Sequence, residues 1–312
     1  MDLVAPALDS LDLDSKAAIE PSHITVIFNP TAGRRRHRRL RATLRALAEM
    51  GLDSTVIETR GPGEAERIAR HAAPVDRSIL VVAGGDGTIN EAVNGLLSAA
   101  GPLPPLAIIP LGTANVLAHE IGLSGDPMTV ARTIVAARRL PVRPGRVNGR
   151  HFLMMVGAGF DGAVVASVDP VWKRRVGRLA YATRTLVESW RYPFPMMHGS
   201  IDGRPFTARW VVVCRGRHYG GPFIAAPEAD LADPKLTVCL LQGGGPWHVV
   251  RYGAALLTGR MGRLSDVTIA TGTSVRIEGS TLSPVQGDGD IVACLPVEID
   301  LAERDIDLIV PG

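Results

Sequence analysis

Residues 78–95 read SILVVAGGDGTINEAVNG, and the fold turns on how this stretch is understood. Ile79 to Ala83 run apolar and uncharged into Gly84-Gly85-Asp86-Gly87-Thr88, after which Ala92, Val93, Leu96 and Leu97 recur at helical spacing. A short uninterrupted apolar run is a strand buried on both faces, and the glycine turn passes it to an amphipathic helix. Unblocked backbone N–H groups at a helix N-terminus favour a phosphate. Asp86 would repel that phosphate unless a divalent cation stood between them, so the stretch suits a nucleotide carried with Mg2+. Taken alone, it also fits an ordinary capped strand-to-helix turn.

Two more stretches follow the same plan. Residues 24–34, ITVIFNPTAGR, and residues 106–115, LAIIPLGTAN, are apolar runs ending in small, polar, glycine-containing turns. Three such turns belong at the carboxyl edge of one parallel sheet, where open α/β sheets bind ligands. Helical patterns alternate with them: Arg34 to Met50, Ala65 to Ala72, the segment after Asn115, and a helix capped by Asp126-Pro127 that is predicted to run to Arg139. Residues 54–58, STVIE, supply another strand. The alternation predicts a doubly wound, three-layer α/β unit.

From Leu140 the texture changes. The runs RWVVVC, KLTVCL, DVTIAT, SVRIEG and VEIDL, separated by glycine and proline turns, predict a mostly antiparallel sheet or sandwich, interrupted by helices near 176–191 and 246–258. The expected division is a mobile tail over 1–20, an α/β unit over 21–139 plus about 302–312, and a β-rich unit over 140–301. Gly157-Ala158-Gly159-Phe160-Asp161-Gly162 fits a dinucleotide fingerprint literally, but the basic, helical stretch that follows lacks the acid-terminated strand such a site requires.

With 312 residues, 46% hydrophobic and 21% charged, the chain buries a large core. A net charge of +3 and 4% aromatic residues argue against a nucleic-acid binder. Cys214, Cys239 and Cys294 are spread through strand-like runs without a CxxC pair, which suits buried thiols in a reducing compartment. The acidic amino terminus is unlike a signal peptide, and no apolar run reaches the roughly 18 residues that span a bilayer. The expectation is a cytoplasmic protein that touches membranes peripherally. Arg34, Arg35, Arg36, Arg38, Arg39, Arg41 and Arg45 crowd the first helix, either as a solvated face or as a patch for an anionic membrane surface.

The motifs together carry a resemblance. Asn29-Pro30-Thr31-Ala32-Gly33, Gly84 to Thr88, Pro110 to Asn115, Gly157 to Asp161, Tyr219-Gly220-Gly221 with Ile224 to Ala229, and Asp288-Gly289-Asp290 stand in the order and spacing of the diacylglycerol kinase catalytic-domain superfamily. That superfamily includes bacterial lipid kinases, sphingosine kinases and ceramide kinases. The resemblance covers roughly residues 22 to 311. It implies a nucleotide-binding α/β domain like that of phosphofructokinase and NAD kinase, followed by a β-sandwich that receives lipid.

It also implies an ATP- and Mg2+-dependent transfer of phosphate to the hydroxyl of a membrane lipid. No Walker A lysine is present, so the nucleotide contacts fall to Asn29, Thr31, Gly33, Thr59, Gly84, Gly85, Gly87, Thr88, Thr113, Asn115 and Asp290. Asp86 would hold the catalytic metal, Asp288 would take the proton of the acceptor, and Asp161 would face the lipid head group. Asp230 and Asp233 fall where some relatives bind a structural Mg2+, with Pro234 in place of the common glycine. Arg215 stands where many relatives have Asn, Val116 where many have Asp, and Asp290 is one methylene shorter than the usual Glu. A soluble kinase of the NAD kinase type and a non-catalytic lipid or nucleotide sensor are the other readings. Whether the chain forms a homodimer stays open.

Overall fold

The computed structural model describes residues 23–32, 36–72, 78–168 and 178–312, and the chain is mixed α/β. Its first sheet contains β1 (His23–Phe28), β2 (Asp53–Glu58), β3 (Ser78–Gly84), β4 (Leu106–Pro110), β5 (Arg139–Val142) and β20 (Ile306–Ile309), in the order β2-β1-β3-β4-β20-β5. β1 to β4 are mutually parallel, and β5 runs antiparallel to β20 at the edge. The β texture that begins at residue 140 therefore starts within this sheet. β3 and β4 are buried almost throughout, as their unbroken apolar runs require. β2 is exposed along its whole length, an edge strand protected by Asp53 and Glu58.

Five helices accompany this sheet: α1 (Arg36–Glu49), α2 (Glu64–Arg70), α3 (Asp86–Ser98), α4 (Val116–Glu120) and α5 (Pro127–Ala136). Asp126 caps α5 by accepting from the Thr129 N–H at 2.9 Å. The helix stops three residues before the predicted Arg139, because Ala137 turns into the left-handed region at φ 50° and Arg139 opens β5. With β2 and β3 on opposite sides of β1, the strand order reverses between β1 and β3. That reversal is where such a sheet opens a crevice at its carboxyl edge.

Two further six-stranded antiparallel sheets follow. One comprises β6 (Gly145–Val147), β7 (Arg150–Phe152), β9 (Met197–Ile201), β10 (Arg204–Ala208), β16 (Val275–Glu278) and β19 (Val297–Leu301). The other comprises β8 (Met155–Gly159), β11 (Trp210–Cys214), β14 (Leu236–Leu241), β15 (Val267–Gly272), β17 (Pro284–Gly287) and β18 (Asp290–Cys294), with β12 (His218–Tyr219) and β13 (Phe223–Ile224) as a separate ribbon. Side chains from both sheets fill a shared core that includes Phe152, Val211, Val213, Val238, Ile277 and Ile299.

β11 shows why these strands read as continuous rather than alternating. Val211 and Val213 enter the inter-sheet core, while Trp210, Val212 and Cys214 pack on the opposite face against Phe160, Val249 and Tyr252. α6 (Phe160–Ser167) contributes Phe160 and Val164 to that second face, α7 (Arg178–Arg191) packs on α6, and α8 (Pro246–Thr258) contributes Val249, Tyr252 and Ala255 and also meets α7. α6 is absent from the sequence reading, which took Gly157 to Asp161 only as a turn. β8 pairs antiparallel with β11 and β17, so the GxGxxG match sits in no βαβ unit. Cys214 and Cys239 are buried free thiols, whereas Cys294 is free but exposed.

Candidate functional site

The carboxyl ends of β1, β2, β3 and β4 are stitched into one surface. The N–H of Asn29 donates to Ala83 O at 3.0 Å, that of Thr59 to Phe28 O at 2.8 Å, and that of Leu111 to Gly84 O at 2.9 Å. Asn29 then organises the mouth: its Nδ2 donates to Thr88 Oγ1 at 2.9 Å, and its Oδ1 accepts from the N–H and Oγ1 of Thr31 at 2.9 and 2.8 Å. Gly85 and Gly112 touch backbone to backbone, since a Cβ on Gly112 would lie 2.6 Å from the Gly85 Cα. The closeness of the two turns therefore depends on both being glycine. Thr113, after β4, is exposed, and Thr59, after β2, is buried. Gly33, Arg34 and Arg35 lie outside the described residues, as does the 1–20 tail.

Asn115 is held in the left-handed region at φ 48°, with its Nδ2 donating to Gly112 O at 3.0 Å. Its Oδ1 is buried and has no hydrogen-bond partner. A buried acceptor without a donor costs about 1–3 kcal/mol, so this atom marks a place where a ligand donor is wanted.

Asp86 begins α3, and the second half of the chain places Asp288 one helical turn along. Asp86 is lightly held: the Leu117 N–H reaches its Oδ1 at 3.4 Å. Burial pushes its carboxyl above the ordinary range, opposed by the Leu117 N–H and reinforced by the negative charge of Asp288. Asp288 is held quite differently. Its Oδ1 accepts from the N–H groups of Met154 and Met155 at 2.9 and 3.0 Å, and its Oδ2 from the Leu153 N–H at 2.7 Å and Asn90 Nδ2 at 2.9 Å. Burial still raises its carboxyl despite those donors.

This arrangement bears on the general-base role expected of Asp288. A carboxylate offers about four acceptor sites, and all four are filled by protein donors. Asp288 is a clamp that ties α3 to the start of β8, in a left-handed backbone conformation at φ 49°. Asn90, which the sequence reading missed, is the α3 half of that clamp. Asp290 then reaches Gly87, its Oδ2 being 3.2 Å from where a Cβ on Gly87 would sit.

Asp161, in the first turn of α6, is 5% exposed and accepts from Tyr219 Oη and from Gln286 Nε2, the latter at 2.6 Å. Burial raises its carboxyl, while both donors oppose the shift. Gln286 Oε1 in turn accepts from the Gly289 N–H at 2.9 Å, so Asp161 and Asp288 are joined through one turn. Tyr219 also lines an apolar crevice with Trp210, Cys239, Tyr252 and Leu256. Sequence reading named Tyr219 only as part of a motif, and Gln286 carried no signal at all.

Asp230 and Asp233, the pair expected at a structural Mg2+, stand in the loop before β14. Both are exposed; Asp230 Oδ1 accepts from the Ala232 N–H at 2.9 Å, and Asp233 Oδ2 faces Lys235 Nζ at 3.4 Å. Among the described residues no group of three or more His, Cys, Asp or Glu side chains is placed to hold a metal. The cation inside this loop is Arg215, 1% exposed. Its guanidinium donates to the carbonyls of Arg143 (2.8 Å), Leu231 (2.8 Å), Asp233 (2.6 Å) and Lys235. Burial lowers it to about 10, which still leaves it charged at neutral pH.

Arg215→Asn is expected to cost about 3 kcal/mol or more in stability, because four carbonyls lose one planar donor. Arg215→Lys should not restore it, since an ammonium lacks the fork. Calorimetric melting of the three proteins checks this, and an unchanged midpoint for Arg215→Asn would remove the guanidinium's structural role.

A glycine cradle at the reversal point of a parallel sheet, overlooked by a carboxylate, with a β-sandwich carried in the same chain, defines a kinase of the two-part α/β and β-sandwich class. Residues 23–147 match the model of the diacylglycerol kinase catalytic domain, and residues 154–310 that of the YegS C-terminal NAD kinase beta sandwich-like domain. The chain belongs to this diacylglycerol kinase family. It is 27% identical to the diacylglycerol kinase of Bacillus subtilis, covering 92% of this chain and 95% of that one. It is 31% identical to the "Probable lipid kinase YegS-like" of Pseudomonas aeruginosa, covering 78% and 83%. A crystal structure of a diacylglycerol kinase from Bacillus anthracis shares the fold over 94% of this chain and 98% of its own, with a TM-score of 0.73 at 24% identity. Another solved structure from that organism covers 96% and 98% with a TM-score of 0.79 at 25% identity.

Proposed function

We propose that the chain transfers the γ-phosphate of ATP to the hydroxyl of a membrane lipid. The observation that carries this is a pair of unlike carboxylates at α3: Asp288, saturated by protein donors and joined to α3 through Asn90, and Asp86, lightly held at the start of α3 beside the glycine cradle. A kinase needs one acid free to meet the transferring group and a rigid frame that aims it. The backbone N–H groups from Gly84 to Thr88 would receive phosphate oxygens, and Asn115 Oδ1 would accept from a donor of the nucleotide.

The fit to Mg2+ rests on Asp86: a half-buried carboxylate with few protein donors stands beside a phosphate cradle, and hard oxygen ligands suit that ion. Asp86 would hold it, and when bound it would neutralise charge on the phosphates. The protein's own contribution is orientation. Asn29 fixes Thr88 and Thr31, and the Asp288 clamp keeps the Gly289-Asp290 turn against α3. Asp161 orients Tyr219 Oη at the end of the apolar crevice, where a lipid hydroxyl would enter. Loose phosphoryl-transfer transition states place little demand on a strong base, so positioning and charge neutralisation suffice.

The test is transfer of labelled γ-phosphate from ATP into diacylglycerol, ceramide, a sphingoid base and an isoprenoid alcohol in mixed micelles, with NAD as the soluble comparison. Label in one of the lipids is the expected result. Label in NAD alone would replace the lipid reading with a soluble kinase.

A further inference from the structure

Two helices of the β-rich half turn large apolar side chains to solvent. α8 buries Val249, Tyr252 and Ala255 and turns Trp247, Val250, Ala254 and Leu257 to solvent, with Trp247 73% and Leu257 69% exposed. Spacings of three, four and three residues place those outward side chains on a single stripe. α7 repeats the pattern with Thr183, Leu186, Val187 and Trp190 outward, Trp190 being 81% exposed and Leu186 58%. α7 and α8 pack on one another, so both stripes belong to one layer. Scattered exposed apolar residues are normal, but two periodic stripes, each with a solvent-facing tryptophan, require an occupant.

Charge selects the occupant. α7 carries Arg184 and Arg191 against Glu188, and α8 has no acidic residue. Arg184 and Arg191 lie three residues before and four after Val187, so they border the stripe, and Arg260 and Arg263 are exposed just beyond α8. Tryptophan at an apolar stripe edged by arginine is the composition of a helix lying in a bilayer interface. There the indole sits at the head-group level and the guanidinium reaches lipid phosphates. A second copy docking symmetrically would set this cationic helix against itself, which like charges oppose. α1 contrasts with both: Leu40 and Leu47 are buried, and Arg39 is engaged with Gly125 O at 2.6 Å, so that helix has charge but no apolar stripe to insert.

We propose that the α7/α8 layer docks on an anionic bilayer surface. The docking rests on the lipid-kinase reading only in what it is for: α8 contributes Tyr252 and Leu256 to the crevice that ends at Tyr219, so docking there would bring the crevice to the membrane. The experiment measures flotation with vesicles of phosphatidylglycerol and phosphatidylcholine, without nucleotide, for the wild type, Trp190→Ser/Trp247→Ser, and Arg38→Gln/Arg41→Gln. The tryptophan pair should lose tenfold or more in partitioning, while the α1 pair loses less. The wild type should show tryptophan quenching by brominated acyl chains that the Trp190→Ser/Trp247→Ser protein lacks. Phosphate transfer to a short-chain, water-soluble diacylglycerol should be equal in wild type and the tryptophan variant.

Wild-type partitioning by the tryptophan variant would overturn the proposal, as would a wild-type protein that does not float. So would a wild-type dimer, seen by sedimentation, that the variant dissociates with no loss of vesicle binding. If tryptophan-dependent flotation is found but no lipid is phosphorylated, the docking face stands and the kinase reading falls.

Discussion

Asp86→Asn is expected to lower kcat by about three orders of magnitude, or roughly 4 kcal/mol in the barrier. The substitution keeps size and the hydrogen bond from Leu117 but removes the negative charge that faces the cradle. Because burial already weakens the acidity of this carboxyl, the charge is not needed for folding, and the variant should melt at or above the wild-type temperature. Nucleotide binding without metal should survive, since the donors are backbone N–H groups of a turn the substitution leaves in place. Phosphate transfer at saturating Mg2+, read beside metal-free nucleotide binding by calorimetry, separates these effects. Turnover near the wild-type rate would remove Asp86 from the mechanism.

For Asp288→Asn the expected signature is the opposite: a loss of stability that accompanies any loss of rate. An amide presents one oxygen to four donors and turns its own NH2 toward some of them. At least two charge-assisted hydrogen bonds disappear, which amounts to about 3 kcal/mol and a fall on the order of 5 to 10 °C in the melting midpoint. Asn90→Ala should produce a smaller shift in the same direction, because it removes one of the four donors. If Asp288→Asn melts like the wild type and loses only kcat, the carboxylate has a catalytic role that its hydrogen bonds do not suggest.

The two acids show where sequence reading succeeds and where it ends. Asp86 is legible because its neighbours in sequence are its neighbours in space: the strand before it, the glycines around it and the helix after it. The partners of Asp288 are backbone N–H groups 133 to 135 residues away, and every non-proline residue carries such a donor. A carboxylate could be recognised, but its saturation could not. Arg215 was legible as a departure from the family's Asn, but its burial among four carbonyls was not, for the same reason. Gln286 and Asn90 sit in unremarkable strand and helix contexts, and only the fold brings them to Asp161 and Asp288. The stripe on α8 was hidden differently: PWHVVRYGAALLT has apolar residues on more than one face, and the pattern does not say which face the core will claim.

The place of β20 between β4 and β5 governs how the chain can assemble. Leu308 pairs with Leu106 on one side and Leu140 on the other, so the first sheet has a gap until residues near 308 have been synthesised. During that interval β4 presents an unpaired edge, apolar on both faces, while the whole β-rich segment is still being made. Cutting after residue 142 would leave β4 and β5 without the strand that joins them in the sheet. Strand edges that wait for a distant partner are exposed to mispairing, so the β4 edge is a place where a nascent chain of this topology is vulnerable and the finished sheet is not.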